Sequence, residues 1–195
     1  MIDRNAVRDF FDRLAPSWDS RMIRDDWKIN TILDNAGVRK GSRILDVACG
    51  TGVLIPDYLE REVDSITAVD LSPQMIRIAS QKFCRSNIHF LCADAETADM
   101  GCDFDAIVLY NAFPHFSNPD NLIAHLSSLL APNGILTVAH GMSREEIDGH
   151  HSGSASKVSA GLMAAESLAD IFQQYLSVTT IISDEHMYQV AGQRL

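Results

Sequence analysis

The chain has 195 residues, of which 46% are hydrophobic and 22% are charged. These values are typical of one globular domain and exclude a mostly disordered protein. No run of apolar residues approaches the length of a membrane-spanning helix, and the first residues lack the apolar core of a signal peptide. From these features we expect a cytoplasmic protein without an integral membrane segment.

Sixteen Lys and Arg residues stand against twenty-six Asp and Glu residues, which gives a formal net charge of −10. A surface with this excess of acid repels phosphate backbones, so the charge argues against a nucleic-acid partner. The same excess favours a ligand that carries positive charge.

Two helices are predicted at the beginning of the chain. The apolar residues Val7, Phe10, Phe11 and Leu14 recur at helical spacing and predict an amphipathic helix that ends before Pro16. A second helix is predicted over residues 25–36, with Trp27 among its apolar residues and Gly37 at its carboxyl end. Together they form an amino-terminal helical cap, residues 1–40.

From residue 41 onward, short apolar strands alternate with helices. Strands are predicted at residues 44–48, 65–69, 88–92, 104–110, 135–139, 178–183 and 187–191. Helices are predicted at residues 53–62, 73–83, 118–130 and 162–176, and a shorter one begins at the capping box Ser143-Arg144-Glu145-Glu146.

This alternation is typical of a parallel sheet that is covered by helices on both faces. The last two strands are joined by only about three residues, which is too short for a crossover, so they must be antiparallel. We therefore predict an α/β fold with a doubly wound, mostly parallel, seven-stranded Rossmann-like sheet, an antiparallel edge hairpin and the amino-terminal helical cap.

Ligands of such sheets bind beyond the carboxyl ends of the strands. There, Gly50-Thr51-Gly52 turns the chain shortly after Asp46. Asp70 ends the second strand, 18 residues after Gly52, which is near the spacing of a carboxylate that binds ribose hydroxyls. Asp94 ends the third strand, where it could accept a hydrogen bond from an adenine amino group. Ile55 replaces the third glycine of a dinucleotide fingerprint, so a cationic nucleoside fits better than a pyrophosphate.

Five segments between residues 40 and 140 together resemble the motifs of class I S-adenosylmethionine-dependent methyltransferases. They are LDVACGTG at 45–52, VDLSPQM at 69–75, ADAE at 93–96, FDAIVLYNAF at 104–113 and LLAPNGIL at 129–136. Residues 10–19, FFDRLAPSWD, resemble the opening of the ubiquinone/menaquinone-type branch, in which this segment covers the cofactor and helps to shape the acceptor pocket.

The resemblance implies S-adenosylmethionine as cofactor, S-adenosylhomocysteine as product and a single methyltransferase domain, residues 1–195. It also implies the residues that hold each part of the cofactor. These are Asp46, Gly50, Thr51, Gly52 and the Asn111 backbone for the methionine end, Asp70 for the ribose, Leu71 and Met75 beside the adenine, and Asp94 with the Ala95 amide for the adenine edge.

The acceptor is expected to be a small molecule. Nucleic-acid amino-methyltransferases carry Asp/Asn-Pro-Pro-aromatic after the fourth strand, whereas this chain has Asn111-Ala112-Phe113-Pro114. This departure and the acidic charge both argue against a nucleic-acid base. The identity of the acceptor, the acceptor atom and the oligomeric state are not predicted.

Four histidines follow the fourth and fifth strands: His115, His140, His150 and His151. Neighbouring strands lie about 4.8 Å apart, so imidazoles at adjacent strand ends could converge on one point above the sheet. His115, His140 and His151 are candidate catalytic residues that would bind the acceptor or act as a base. All four are candidate ligands of a divalent metal, and a purely structural role stays open.

Two other functions and one segment are left open by the sequence. A nicotinamide-dependent oxidoreductase and a non-catalytic nucleoside-binding module would also use a Rossmann-like sheet. Residues 141–161 lie between the cofactor-binding core at 41–140 and the last helix and hairpin at 162–195. They form either a lid over the acceptor pocket or a plain connector.

Overall fold

The computed structural model describes residues 2–150 and 158–195. Seven strands form one sheet: β1 (Arg43–Val47), β2 (Ser65–Asp70), β3 (Ile88–Cys92), β4 (Phe104–Tyr110), β5 (Leu130–His140), β6 (Ser177–Ser183) and β7 (Tyr188–Gln193). Their order across the sheet is β3-β2-β1-β4-β5-β7-β6.

The described helices are α1 (Arg4–Leu14), α2 (Trp18–Arg21), α3 (Asp26–Asn35), α4 (Ile55–Glu60), α5 (Pro73–Lys82), α6 (Pro119–Ser128), α7 (Arg144–His150) and α8 (Ala165–Phe172). Two short 3₁₀ turns, Ala15–Ser17 and Phe113–His115, lie after α1 and after β4.

Strands β1 to β5 pair in parallel, whereas β7 pairs antiparallel with both β5 and β6. The predicted fold class is therefore confirmed, including the edge hairpin. The chain moves outward in one direction from β1 to β3 and in the other from β4 to β6. The loops that follow β1 and β4 thus diverge, which leaves a crevice at the carboxyl edge of these two strands.

The two faces of the sheet are covered by different helices. Ile44 of β1 packs in a core cluster with α3 and α4, whereas the adjacent Leu45 packs in a second cluster with α6 and α8. This alternation follows from the two-residue repeat of a strand. Both side chains are fully buried, as expected for a strand in the middle of a doubly wound sheet.

The amino-terminal helices begin at acidic caps. The side chain of Asp3 accepts a hydrogen bond from the amide of Asn5 at α1, and that of Asp25 accepts one from Lys28 at α3. Helix α3 buries its Ile29, Ile32 and Leu33 face. Trp27, which the sequence grouped with these apolar residues, is 67% exposed because it lies off that face.

Three elements differ most in their bounds from the sequence prediction. Strand β5 begins at Leu130, before Pro132, because its pairing with β4 contains an irregularity that absorbs the extra residues. Helix α4 begins at Ile55 because turns occupy the residues after Gly50, and α8 spans only Ala165–Phe172 because Ala164 is extended and residues 173–176 form turns. Within the described residues, no helix is both long and apolar enough to span a membrane.

Candidate cofactor site

Asp46 lies in β1, directly before the glycine-containing loop, and is only 2% exposed. Its Oδ2 atom accepts no hydrogen bond from any residue that the structure describes. Burial, together with the negative charge of Asp70, raises the pKa of this carboxyl to about 8. A buried carboxylate oxygen without a partner is costly unless a ligand supplies a cation or a donor. Asp46 therefore fits the positively charged methionine end of S-adenosylmethionine.

Asp70 joins the loops that follow β1 and β2. Its Oδ2 accepts a 2.9 Å hydrogen bond from the amide of Gly50, and its Oδ1 accepts a 2.8 Å bond from the amide of Ser72. Burial raises the pKa of Asp70 to about 6, although these backbone bonds act in the opposite direction. Each carboxylate oxygen can accept a further bond, so the side chain can still receive ribose hydroxyls.

The glycine loop needs glycine for both conformation and space. Gly50 and Gly52 have φ values of 56° and 85°, in the left-handed region. A Cβ atom on Gly52 would lie 2.7 Å from Cε2 of Phe83 and 2.9 Å from Cδ1 of Ile55. Between the glycines, Thr51 is fully buried and donates a hydrogen bond to Asp19 of the cap.

The segment after β2 begins α5 in a tightly bonded turn. The Ser72 hydroxyl oxygen caps this helix by accepting from the amide of Met75 at 3.1 Å. Met75 is 1% exposed, and Leu71 is half-buried. Of these two predicted adenine neighbours, only Leu71 presents appreciable surface.

Asp94 and Ala95 follow β3 as predicted, and the Asp94 carboxylate is held on two sides. Its Oδ1 accepts from the amide of Glu96 at 3.0 Å, and its Oδ2 forms a 2.6 Å ion pair with Arg4. Ala95 is buried. Asn111, after β4, has a φ of 56°. Its backbone amide donates to the carbonyl of Ala139, and its side-chain oxygen accepts a 3.0 Å bond from the amide of Gly141.

The amino-terminal cap touches three of these loops, through residues that sequence reasoning missed. Arg4 pairs with Asp94, Asp12 accepts from the hydroxyl of Ser72 and the amide of Gln74, and Asp19 accepts from Thr51. Charged residues on an exposed helix carry no sequence signal for such distant partners, so only the structure shows these contacts.

Aromatic rings of the cap lie between the glycine loop and the turn after β4. The ring of Phe11 meets the ring of Trp18 edge to face at 5.7 Å and the imidazole of His115 at 4.9 Å. The indole nitrogen of Trp18 lies 3.8 Å from the point where a Cβ on Gly50 would stand. Cofactor loop, cap and acceptor-side turn therefore meet at these rings.

The histidines contact different neighbours. His115 lies in the turn after β4, and its Nδ1 is 2.8 Å from the carbonyl oxygen of Val158. His140 is 2% exposed in β5, and its ring lies 6.0 Å from that of Tyr188. His150 is the last residue of α7, and His151 lies outside the described residues. Among described residues, no three His, Cys, Asp or Glu side chains form a group that could hold a metal ion.

The chain has relatives among known proteins. Residues 44–134 match the family model of a methyltransferase domain. Malonyl-[acyl-carrier protein] O-methyltransferase of Acetivibrio thermocellus is 34% identical over 139 residues, which cover 70% of this chain and 49% of that protein. A ubiquinone/menaquinone biosynthesis C-methyltransferase of Erwinia tasmaniensis is 30% identical over 147 residues, which cover 69% of this chain and 58% of the relative.

Among solved structures, N-methyltransferase NodS from Bradyrhizobium japonicum WM9, in complex with S-adenosyl-L-homocysteine, superposes with a TM-score of 0.74 at 17% identity. The match covers 96% of this chain and 98% of that one, which establishes a common fold. The chain spans about half the length of the curated relatives that it matches. The predicted family is confirmed: this chain carries a methyltransferase domain with the Rossmann-like fold of the class I, S-adenosylmethionine-dependent enzymes.

Proposed function

We propose that the protein transfers a methyl group from S-adenosylmethionine to a small-molecule acceptor. The observation that carries this proposal is a pair of neighbouring acids at the glycine loop: Asp46 is buried with one oxygen unpaired among the described residues, and the half-buried Asp70 accepts from the amide of Gly50. When bound, S-adenosylmethionine supplies an electrophilic methyl group on a sulfonium cation. The partnerless oxygen of Asp46 suits the positive methionine end, and Asp70 suits the ribose.

The contribution of the chain to such a transfer is orientation and the exclusion of water. A nucleophile held in line with the methyl group gains roughly 7–11 kcal/mol from orientation. Asp46 and Asp70 would fix one end of the ligand, whereas Phe11, Trp18 and His115 would close the site above it. A base is needed only for an acceptor that carries a proton, and the position of His115 in the turn after β4, beside Phe11, supports it as the candidate.

A groove on the acceptor side supports a small, largely apolar acceptor. It has a volume of about 350 Å³ and lies between the turn after β4 and the segment that precedes α8. Its described lining includes Phe113, Pro114, Phe116, Leu162 and Met163. The amide of Ala160 donates a 2.9 Å hydrogen bond to the carbonyl of Pro114, which fixes this segment against the turn. Ala160 of the predicted lid, residues 141–161, is thus bonded to this turn, whereas its residues 151–157 lie outside the described part.

A nicotinamide-dependent oxidoreductase is disfavoured by the same acids. The pyrophosphate of a dinucleotide would lie at the glycine loop beside Asp46 and Asp70, which offer it no positive charge and repel it whenever they are ionised. The acidic surface likewise disfavours nucleic acid as the acceptor.

Calorimetry with S-adenosylmethionine, S-adenosylhomocysteine and NAD tests the cofactor. We expect both sulfur nucleosides to bind and NAD not to bind; binding of NAD alone would refute the proposal.

Incubation with methyl-labelled S-adenosylmethionine and a cell extract, followed by separation of the products by size, tests the acceptor. Label in the low-mass fraction supports a small acceptor, whereas label only in nucleic acid or protein contradicts it. Cofactor binding without any transfer would indicate a non-catalytic nucleoside-binding module.

A further inference from the structure

Arg4, at the start of α1, lies between two carboxylates that are about ninety residues away in the sequence. One terminal nitrogen of its guanidinium is 2.6 Å from Oδ2 of Asp94, and the other donates to Oε2 of Glu96. The Glu96 side chain is only 6% exposed, and its Oε1 accepts a 2.8 Å bond from the amide of Ser117. Arg4 is therefore tied to an acid that is itself fixed to the segment after β4.

This arrangement determines how Asp94 is held. The Glu96 amide fixes one oxygen of the Asp94 carboxylate, and Arg4 fixes the other. One positive charge between two carboxylates reduces their mutual repulsion and leaves a net charge of −1 on the group of three. Each carboxylate oxygen can accept more than one hydrogen bond, so Asp94 keeps the capacity to accept from an amino group.

We propose that Arg4 is a positioning residue for adenine recognition: it orients the Asp94 carboxylate toward the amino group of the adenine ring. The inference rests on the proposed function, because it takes an adenine nucleoside as the ligand. It assigns to the cap a part in ligand selectivity, beyond covering the site.

The same helix offers a matched control. Arg8 lies one turn further along α1, has similar exposure and pairs with Asp9 of the same helix at 2.9 Å. An Arg8→Ala variant removes the same charge and a comparable side chain, but leaves the Arg4–Asp94 contact in place.

The experiment measures dissociation constants of S-adenosylhomocysteine and of its 6-deamino analogue, which lacks the adenine amino group. We expect Arg4→Ala to weaken binding of S-adenosylhomocysteine by about two- to fivefold, the range of a partly exposed ion pair. Binding of the 6-deamino analogue should change little. The dissociation constant of the analogue divided by that of S-adenosylhomocysteine should therefore fall toward one. Arg4→Lys should restore part of the ratio, and Arg8→Ala should keep the wild-type ratio.

A double-mutant cycle separates this role from a general loss of stability. On an Asp94→Asn background, Arg4→Ala should have no further effect on the ratio. An equal loss for both ligands, or a loss that persists in the Asp94→Asn background, would overturn the inference. Tighter binding by Arg4→Ala would also overturn it, because Arg4 would then obstruct the adenine site. If wild-type protein binds neither ligand, the proposed function itself fails, and the two failures are thus distinguishable.

Discussion

The hydroxyl of Thr51 donates a 2.5 Å hydrogen bond to Oδ1 of Asp19, so the cap is bonded directly to the glycine loop. The other carboxylate oxygen of Asp19 pairs with Lys82 of α5 at 2.8 Å. Burial opposes ionisation of Asp19, but the bonds from Lys82 and Thr51 outweigh it and hold the pKa below its ordinary value. Cap, loop and α5 are thereby connected at one carboxylate.

Replacing Thr51 by Val keeps the shape of this buried side chain and removes the donor. We expect the free energy of unfolding to fall by about 1.5–3 kcal/mol, the value of a hydrogen bond to a charged group. Trypsin should also cleave faster at Arg21, the last residue of α2. Urea denaturation and limited proteolysis measure the two effects. Thr31→Val, which removes only a bond to the carbonyl of Trp27 within α3, is the control; equal effects of both variants would contradict the proposed anchoring.

Asp70→Asn should weaken binding of S-adenosylhomocysteine by roughly 10–150-fold, from the loss of charge-assisted bonds worth about 1.5–3 kcal/mol. An amide side chain has one acceptor oxygen in place of two, so it cannot serve the Gly50 and Ser72 amides and the ribose together. Isothermal calorimetry measures the affinity. The exposed Asp64, just before β2, provides the control Asp64→Asn. An Asp70→Asn variant with wild-type affinity would remove Asp70 from the ribose site.

The stability of the ligand-free protein should fall as pH rises from about 4 to 8. Asp46 has a pKa of about 8 in the folded state, whereas an unfolded Asp titrates near 4. Between these values the folded state holds a proton that the unfolded state lacks, so raising the pH favours unfolding, by up to about 1.4 kcal/mol per pH unit. Asp70, with a pKa of about 6, acts in the same direction over the lower part of this window.

Urea denaturation at several pH values tests this dependence, and Asp46→Asn should flatten most of the slope above pH 6. A wild-type protein whose stability rises across the window would contradict the assignment. Binding of the cationic S-adenosylmethionine should release the Asp46 proton, so its affinity should increase with pH over the same range. Calorimetry in buffers of different ionisation enthalpy detects the released proton directly.

Gly52→Ala and Gly41→Ala form a pair that separates backbone strain from steric clash. Both glycines have φ values above 80°, but a Cβ on Gly41 would meet no atom within 4 Å, whereas one on Gly52 would clash with Phe83 and Ile55. We expect a loss of about 1–2 kcal/mol of stability at Gly41 from the left-handed conformation alone and a larger loss at Gly52. Only Gly52→Ala should weaken cofactor binding. Thermal unfolding measures the stability of the two variants, and calorimetry measures their affinity for S-adenosylhomocysteine.

His115 and His140 should respond differently to substitution. His115→Ala removes a half-buried imidazole from the turn after β4, on the proposed acceptor side. We therefore expect lower turnover of the acceptor with little change in affinity for S-adenosylhomocysteine. His140→Ala empties a buried site against Tyr188 and should instead lower the free energy of unfolding by about 2–4 kcal/mol. Parallel measurements of turnover, affinity and stability distinguish the roles. Loss of cofactor affinity in His115→Ala would place this residue outside the acceptor side.

The sequence predicts the sheet well because its signals are local. The apolar run at residues 44–48, the acids that end β1, β2 and β3, and the short link before β7 each define a feature within a few residues. The contacts of Arg4 with Asp94 and of Asp19 with Thr51 join residues 90 and 32 positions apart, and neither Arg4 nor Asp19 differs in type from an ordinary surface charge. The early start of β5 was missed because Pro132 and Gly134 are typical of a loop, and the irregular pairing that accommodates them depends on β4.

The contacts between the cap and the cofactor loops have a kinetic consequence. Arg4, Asp12 and Asp19 hold residues 4–21 across all three loops, so we expect entry and departure of a nucleoside to require several of these bonds to open. Two of the contacts, Arg4–Asp94 and Lys82–Asp19, are partly exposed ion pairs that salt screens. Dissociation of the bound nucleoside should therefore be slow at low ionic strength and accelerate as salt is added. If the chain carries out the proposed methyl transfer, we expect release of S-adenosylhomocysteine to limit the rate of the cycle at low ionic strength.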